Sequence, residues 1–222
     1  MVAMALIVAC SACLADEASD FKQIRKQRQE IRKMTKKDLN ERCTKAARKE
    51  AKVLKKAGWI VSPGTLPLEK QLDRSYNMEM EYDENLFPKY IMANAQSIGE
   101  NYDAAKTSAL SLAVTNLAGQ IQTEVTALVE NTVANKQLSA DDAASISETV
   151  MTSKNLISQS IGRTIPVLEC YRIVGEKKNT EVLVRIAYNS DMARQSAKRA
   201  LRAALEEKGE KLHEQLDLIL GL

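Results

Sequence analysis

The chain has 222 residues, enough for one domain of ordinary size and an appendage. Its hydrophobic fraction of 45% is that of a globular protein, but aromatics supply only 4%, so Ala, Leu, Ile and Val must do most of the packing. The formal net charge of +3 excludes little by itself; its distribution along the chain says more.

The first residues, Met1 to Ala9, are apolar and run into small residues and then acids. That is the pattern of a secretory signal of about 7–15 apolar residues, too short for a membrane span of about 20. The competing reading is a buried N-terminal strand. Residues 1–15 are expected to be a signal peptide with two ways of being processed. Ile7-Val8-Ala9-Cys10 resembles a bacterial lipobox, which makes Cys10 a lipidation candidate, and Cys13-Leu14-Ala15 before Asp16 fits ordinary cleavage. The expected location is the periplasm or outer membrane. Two further thiols, Cys43 and Cys170, can either pair in an oxidising compartment or stay buried as small apolar groups.

Residues 16–61 read as a basic helical arm. Between 21 and 57 there are fifteen basic and four acidic residues, a net +11, which leaves 58–222 at −5. The candidates for contact with an anionic partner are Lys22, Arg25, Lys26, Arg28, Arg32, Lys33, Lys36 and Lys37. Such a run attracts lipid headgroups, lipopolysaccharide, anionic polymer or an acidic protein face; its competing reading is a solvated spacer. Nucleic acid is the least favoured partner, because an exported chain leaves the cytoplasm and the basic stretch 21–57 has a single aromatic, Phe21. Thr35 to Asp38 fits a capping box. Leu39, Cys43, Ala46, Ala47, Val53 and Leu54 give the arm a thin apolar stripe, and Gly58 is placed to stop the helix.

Residues 62–87 carry Pro63, Gly64 and Pro67 and read as a connector, with a short helix over Leu68–Tyr76. Glu79, Glu81, Asp83 and Glu84 offer hard oxygens suited to calcium, yet lack the spacing of a calcium loop and read better as a solvated acidic stretch.

Residues 88–222 form the expected α+β body. A strand over 89–98 is followed by a long helix over 102–133, buried through Ala105, Ala109, Leu112, Ala113, Asn116, Leu117, Ile121, Val125, Leu128, Val129 and Thr132. A second helix runs from Ser139 to about Ile161. Two β-branched runs, 165–174 and 180–188, form a hairpin about the turn at Gly175. Ser190 caps a final helix lined by Ala197, Leu201, Leu205, Leu212, Leu216 and Ile219. The order β-α-α-β-β-α predicts a small antiparallel sheet with long helices covering one face. Residues 88–222 are expected to fold alone, and 21–57 are not.

Gly99, Ala104-Ala105, Ala109, Ala113, Asn116-Leu117-Ala118, Ile121 and Val125, with the strand Val182-Leu183-Val184-Arg185-Ile186, resemble the Lpp-twenty outer-membrane lipoprotein family and the N-terminal domain of the flagellar protein FlgT. The resemblance spans roughly residues 88–190. It implies an envelope protein, often lipid-anchored, that associates with other envelope proteins or with itself and brings no catalytic residues.

Enzymatic signals are scarce. The single histidine, His213, sits between Leu212 and Glu214 on a charged helix and lacks a positioned partner. No Walker loop, dinucleotide fingerprint, G-x-S-x-G or H-E-x-x-H occurs, and no Cys/His set has zinc spacing. The sequence therefore predicts no catalytic residue, no metal and no cofactor. The preferred reading is a non-catalytic exported module for protein–protein or surface interaction. The alternatives are a periplasmic enzyme with an unrecognised site, or a binder of anionic polymer or lipid through the arm.

Overall fold

The computed structural model describes residues 22–34, 37, 40–134, 140–176 and 178–205. The expected signal segment with Cys10, the residues Lys36 and Leu39, and the chain after Leu205 with His213 lie outside them. Contacts divide the chain into two units, Met1–Cys43 and Thr44–Leu222. In the first, residues 22–34 form helix α1.

The second unit is mixed α+β, with an antiparallel sheet in the order β1-β3-β2. Its elements are α2 (Lys45–Lys56), α3 (Leu68–Glu79), β1 (Tyr90–Gly99), α4 (Tyr102–Ala134), α5 (Ala140–Thr152), α6 (Lys154–Ser160), β2 (Ile165–Val174), β3 (Asn179–Asn189) and α7 (Ser190–Leu205). The predicted class and the predicted hairpin of β2 and β3 are present, and β1 and β3 pair one to one from Tyr90↔Asn189 to Gly99↔Thr180.

Alternation along the strands gives the sheet two apolar faces. Ile91, Ala93 and Ala95 of β1 and Val182, Val184, Ile186 and Tyr188 of β3 pack on Ala105, Ala109, Ala113, Leu117 and Ile121 of α4. Alanine at every fourth position lets the helix backbone come close to the sheet. The approach is closest at the β1–α4 junction. A Cβ on Gly99 would lie 2.7 Å from the Ala105 amide nitrogen, so only glycine fits there.

The other face is covered too, and this corrects the expectation of one-sided cover. Leu68, Leu72 and Met78 of α3 are buried, and α3 packs against the sheet. Met78, Val167 and Ala187 form a second small core with Tyr90, Met92 and Ile165 around it. The α3–sheet seam is also polar. Gln71 Oε1 accepts the Glu169 amide at 2.7 Å, and Arg185 donates to Ser75 Oγ at 3.0 Å. The segment expected to be a connector is thus structural.

So is the second half of the expected arm. Residues 42–44 are not helical, and the Thr44 hydroxyl accepts the Ala47 amide and starts α2 afresh. Helix α2 buries Ala47 and Ala51 and leaves Val53 exposed, so the inner stripe is narrower than the sequence implied. Its amide at Thr44 bonds Asp73 of α3, and Lys55 pairs with Glu69 at 2.6 Å. The helix ends as expected at Gly58 (φ +85°). Gly58 donates to the Lys55 carbonyl and Trp59 to the Leu54 carbonyl. Ile60 then forms a two-way bridge with Tyr171 on the outer edge of β2.

Two local expectations are corrected by side-chain hydrogen bonds. The helix predicted over 139–161 is two helices, α5 and α6, parted at Ser153. The Thr152 and Ser153 hydroxyls return to carbonyls a turn back, and Gln122 of α4 donates to the Val150 and Met151 carbonyls. The cap of α7 is Asn189, whose Oδ1 accepts the amides of Asp191 and Met192; Ser190 donates instead to the Pro88 carbonyl.

Candidate functional site

Six of the eight anionic-partner candidates, Lys22, Arg25, Lys26, Arg28, Arg32 and Lys33, lie on α1, and all are exposed. At about 100° per residue they occupy one arc of the helix, broken only by Gln29. Ile24, Ile31 and Met34 occupy the opposite side and are also exposed, at 43%, 61% and 65%. Glu30 is the one acid of this helix. Helix α1 is therefore a basic amphipathic helix with exposed side chains on both faces. Sequence reading found the charge and missed this apolar side, because Ile24 and Ile31 are separated by seven residues in a run dominated by Lys and Arg. Lys37 is exposed as well.

The body holds two polar clusters and one groove. In the first, Glu169 of β2 accepts from Lys106 of α4 at 2.9 Å and from the Tyr102 hydroxyl, which Ser62 also contacts at 2.8 Å. Burial and the Glu169 carboxylate hold Tyr102 above its ordinary value, and the bond to Glu169 raises Lys106. Both therefore stay protonated near neutrality, and neither is poised as a base. The cluster ties Ser62, α4 and β2 together.

In the second, Arg172 stacks over the Trp59 ring at 4.7 Å and bonds Glu181 at 2.5 Å and the Ala57 carbonyl at 3.1 Å. Burial pushes the Glu181 carboxyl up, but hydrogen bonds from Arg172 and Gln96 outweigh it and hold the group below its ordinary range. This is an electrostatic clamp on the end of the sheet.

The groove, of about 600 Å³, lies between α4, the start of β1 and α7 and is lined by Phe87, Tyr90, Met92, Ile121, Leu128 and Glu124 among others. Burial raises the Glu124 carboxyl, and Arg194 partly offsets this. The groove opens beside the 80–88 loop, where Met80, Tyr82, Leu86 and Phe87 are all more than half exposed. Asp83 shapes that loop by accepting the Asn85 and Phe87 amides, so this acid has a structural task. Glu81 is paired with Lys89 at 2.5 Å. Among the described residues, no group of three or more His, Cys, Asp or Glu is placed to hold a metal.

Cys43 and Cys170 are buried thiols, and no disulfide joins them. Burial pushes Cys170 to about 12, which removes it as a nucleophile near neutral pH. None of the described helices is long and apolar enough to cross a membrane. Compared with known proteins, the chain matches no family model, no curated sequence and no solved structure.

Proposed function

We propose that this chain is an exported cell-envelope protein that binds an anionic surface through α1 and presents its α+β body as a non-catalytic interaction module. The carrying observation is the helix itself: a basic arc opposite exposed Ile24, Ile31 and Met34. A helix of that kind lies in a membrane interface, with apolar side chains among the acyl chains and Lys and Arg at the headgroups. The apolar start of the chain and its lipobox-like Cys10 support export, and the Lpp-twenty resemblance supports an envelope role. The polar clusters of the body support a binding module over an enzyme, since their groups are paired across structural seams.

The test is sedimentation with phosphatidylglycerol vesicles. Each Lys or Arg near an anionic surface contributes about 1 kcal/mol, so replacing Arg25, Arg28 and Arg32 by Gln should weaken binding about 100-fold or more. Phosphatidylcholine vesicles should bind neither form. Equal binding of the triple variant would refute the role of α1. Recovery of uncleaved Met1 in the cytosol would refute export.

A further inference from the structure

The two edges of the sheet are built in opposite ways. The β2 edge is guarded: Ile60 bridges it at Tyr171, Pro166 interrupts it, and a bulge lies between Pro166 and Leu168. The β1 edge has no strand beside it among the described residues. Strand β1 has ten residues with no charge, no proline and no bulge. Exposed edges are ordinarily blunted by just those features, because unpaired amides and carbonyls template another strand.

Helix α4 extends the same uncharged surface. From Thr107 to Thr123 it carries no charged residue, in a chain that is 27% charged. Its side nearest the edge is fixed by two contacts. Ser108 bonds Ser97 at 2.9 Å, and Asn116 donates to the Asn94 carbonyl at 2.9 Å. Leu112 stands between them, one turn from each, and is 48% exposed. Leu112 and Asn116 are two of the positions whose spacing marks them as buried. Their period fits a second contact that the single chain does not make.

We propose that this face binds a second copy of the chain, β1 pairing antiparallel with its partner's β1 to give one continuous sheet. The strand suits itself. The Asn94 carbonyl is turned away from β3, since Asn116 reaches it, so Asn94 can exchange hydrogen bonds with its own copy across a two-fold axis. That register sets Met92 opposite Gln96, Tyr90 opposite Ile98 and Ala93 opposite Ala95, with no like charges facing. The exposed Asn116–Asn94 bond is exchanged for a strand bond.

The helices also fit. Helix α4 lies over both β1 and β3, and strands are about 4.8 Å apart, so extending the sheet by pairing sets the two α4 axes roughly 9–10 Å apart. That is the ordinary helix-packing distance of about 8–10 Å, suited to small Ser, Thr and Ala side chains with one Leu. A face about 34 Å long, made of a strand edge about 5 Å deep and a helix about 10 Å wide, offers on the order of 500 Å² per copy. Two such faces reach about 1,000 Å², the low end of specific interfaces, where weak and transient complexes lie. This rests on the proposed reading of the body as an interaction module, gives that module its partner, and depends on neither export nor vesicle binding.

The test is sedimentation equilibrium of the full chain from about 1 to 200 μM, with hydrogen exchange followed at the same concentrations. The wild-type chain should dimerise. The Met92, Asn94 and Gln96 amides should become slower to exchange as concentration rises. N94K sets two lysines together at the two-fold, and L112R charges the helix seam; each should weaken dimerisation about tenfold or more. Both positions are exposed, so the melting transition of the dilute chain should be unchanged. I173K on β2, also exposed, should leave the dimer intact. A chain that is monomeric at 200 μM overturns the proposal, as does a dimer that N94K and L112R leave unaltered or β1 amides indifferent to concentration.

Discussion

Removing residues 1–43 should leave a folded protein, whereas removing 1–87 should not, because α3 is half of the sheet's cover. The shorter chain loses Leu68, Leu72 and Met78, which are 2%, 0% and 9% exposed. Each such side chain contributes about 1.5–3 kcal/mol on burial, so the three together contribute roughly 5–9 kcal/mol. The truncation also strips partners from the sheet: the Glu169 amide loses Gln71, Arg185 loses Ser75, and Arg172 loses the Trp59 ring and the Ala57 carbonyl. A domain is stable by only about 5–15 kcal/mol in all, so the apolar loss alone is of that order. The assay is urea unfolding followed by circular dichroism on the two truncated chains beside the full one. The chain from Thr44 should keep a cooperative transition with the full chain's midpoint. The chain from Pro88 should show a shallow transition or none. A cooperative midpoint for the 88–222 chain within about 0.5 M urea of the longer one would refute the reasoning, since that margin is about 1 kcal/mol. In that case the α3 face would contribute almost nothing.

Three other outcomes follow from single sites. Gly99→Ala presses a Cβ to 2.7 Å from the α4 backbone at Ala105, and calorimetry should show a loss of about 1–3 kcal/mol. Glu181 is held below its unfolded value by Arg172 and Gln96, so its contribution is full above about pH 4.3 and fades as pH falls through the lower folded value. Glu181→Gln should therefore lower stability at neutral pH and flatten the acid limb of the stability–pH curve; an unchanged acid limb would show that another carboxylate governs it. Replacing Ile24 and Ile31 by Ser should weaken vesicle binding without changing its salt slope, because the charge count is untouched.

How much of this was legible in the sequence depends on where each signal resides. The alternation of strands and helical segments along the body could be read from β-branched runs and glycine stops, which are local. The role of α3 could not, because its inner face mixes Leu68 and Leu72 with Gln71 and Ser75 and so lacks a clean apolar stripe. Those two polar side chains make sense only beside Glu169 and Arg185. The break at Ser153 depends on Gln122, 31 residues away in a different helix, and no local pattern reports it. On α1 the charge was legible and the amphipathic phase was not, since two isoleucines seven apart are a faint signal.

Charge sorts the molecule's surfaces, and this yields a test that separates its two binding modes. The arm unit binds through Lys and Arg, so its affinity for anionic vesicles should fall as salt shortens the Debye length from about 10 Å at 0.1 M to about 3 Å at 1 M. The β1–α4 face has no charge between Tyr90 and Gly99 or between Thr107 and Thr123. Its association rests on backbone bonds and apolar burial, which salt does not screen. Dimerisation measured at 0.1 M and 1 M NaCl should therefore hold steady or strengthen, while vesicle binding falls over the same interval. If dimerisation also collapses at 1 M, the contact between copies is electrostatic, and the basic arm meeting the acidic body is a better account of it than the sheet edge.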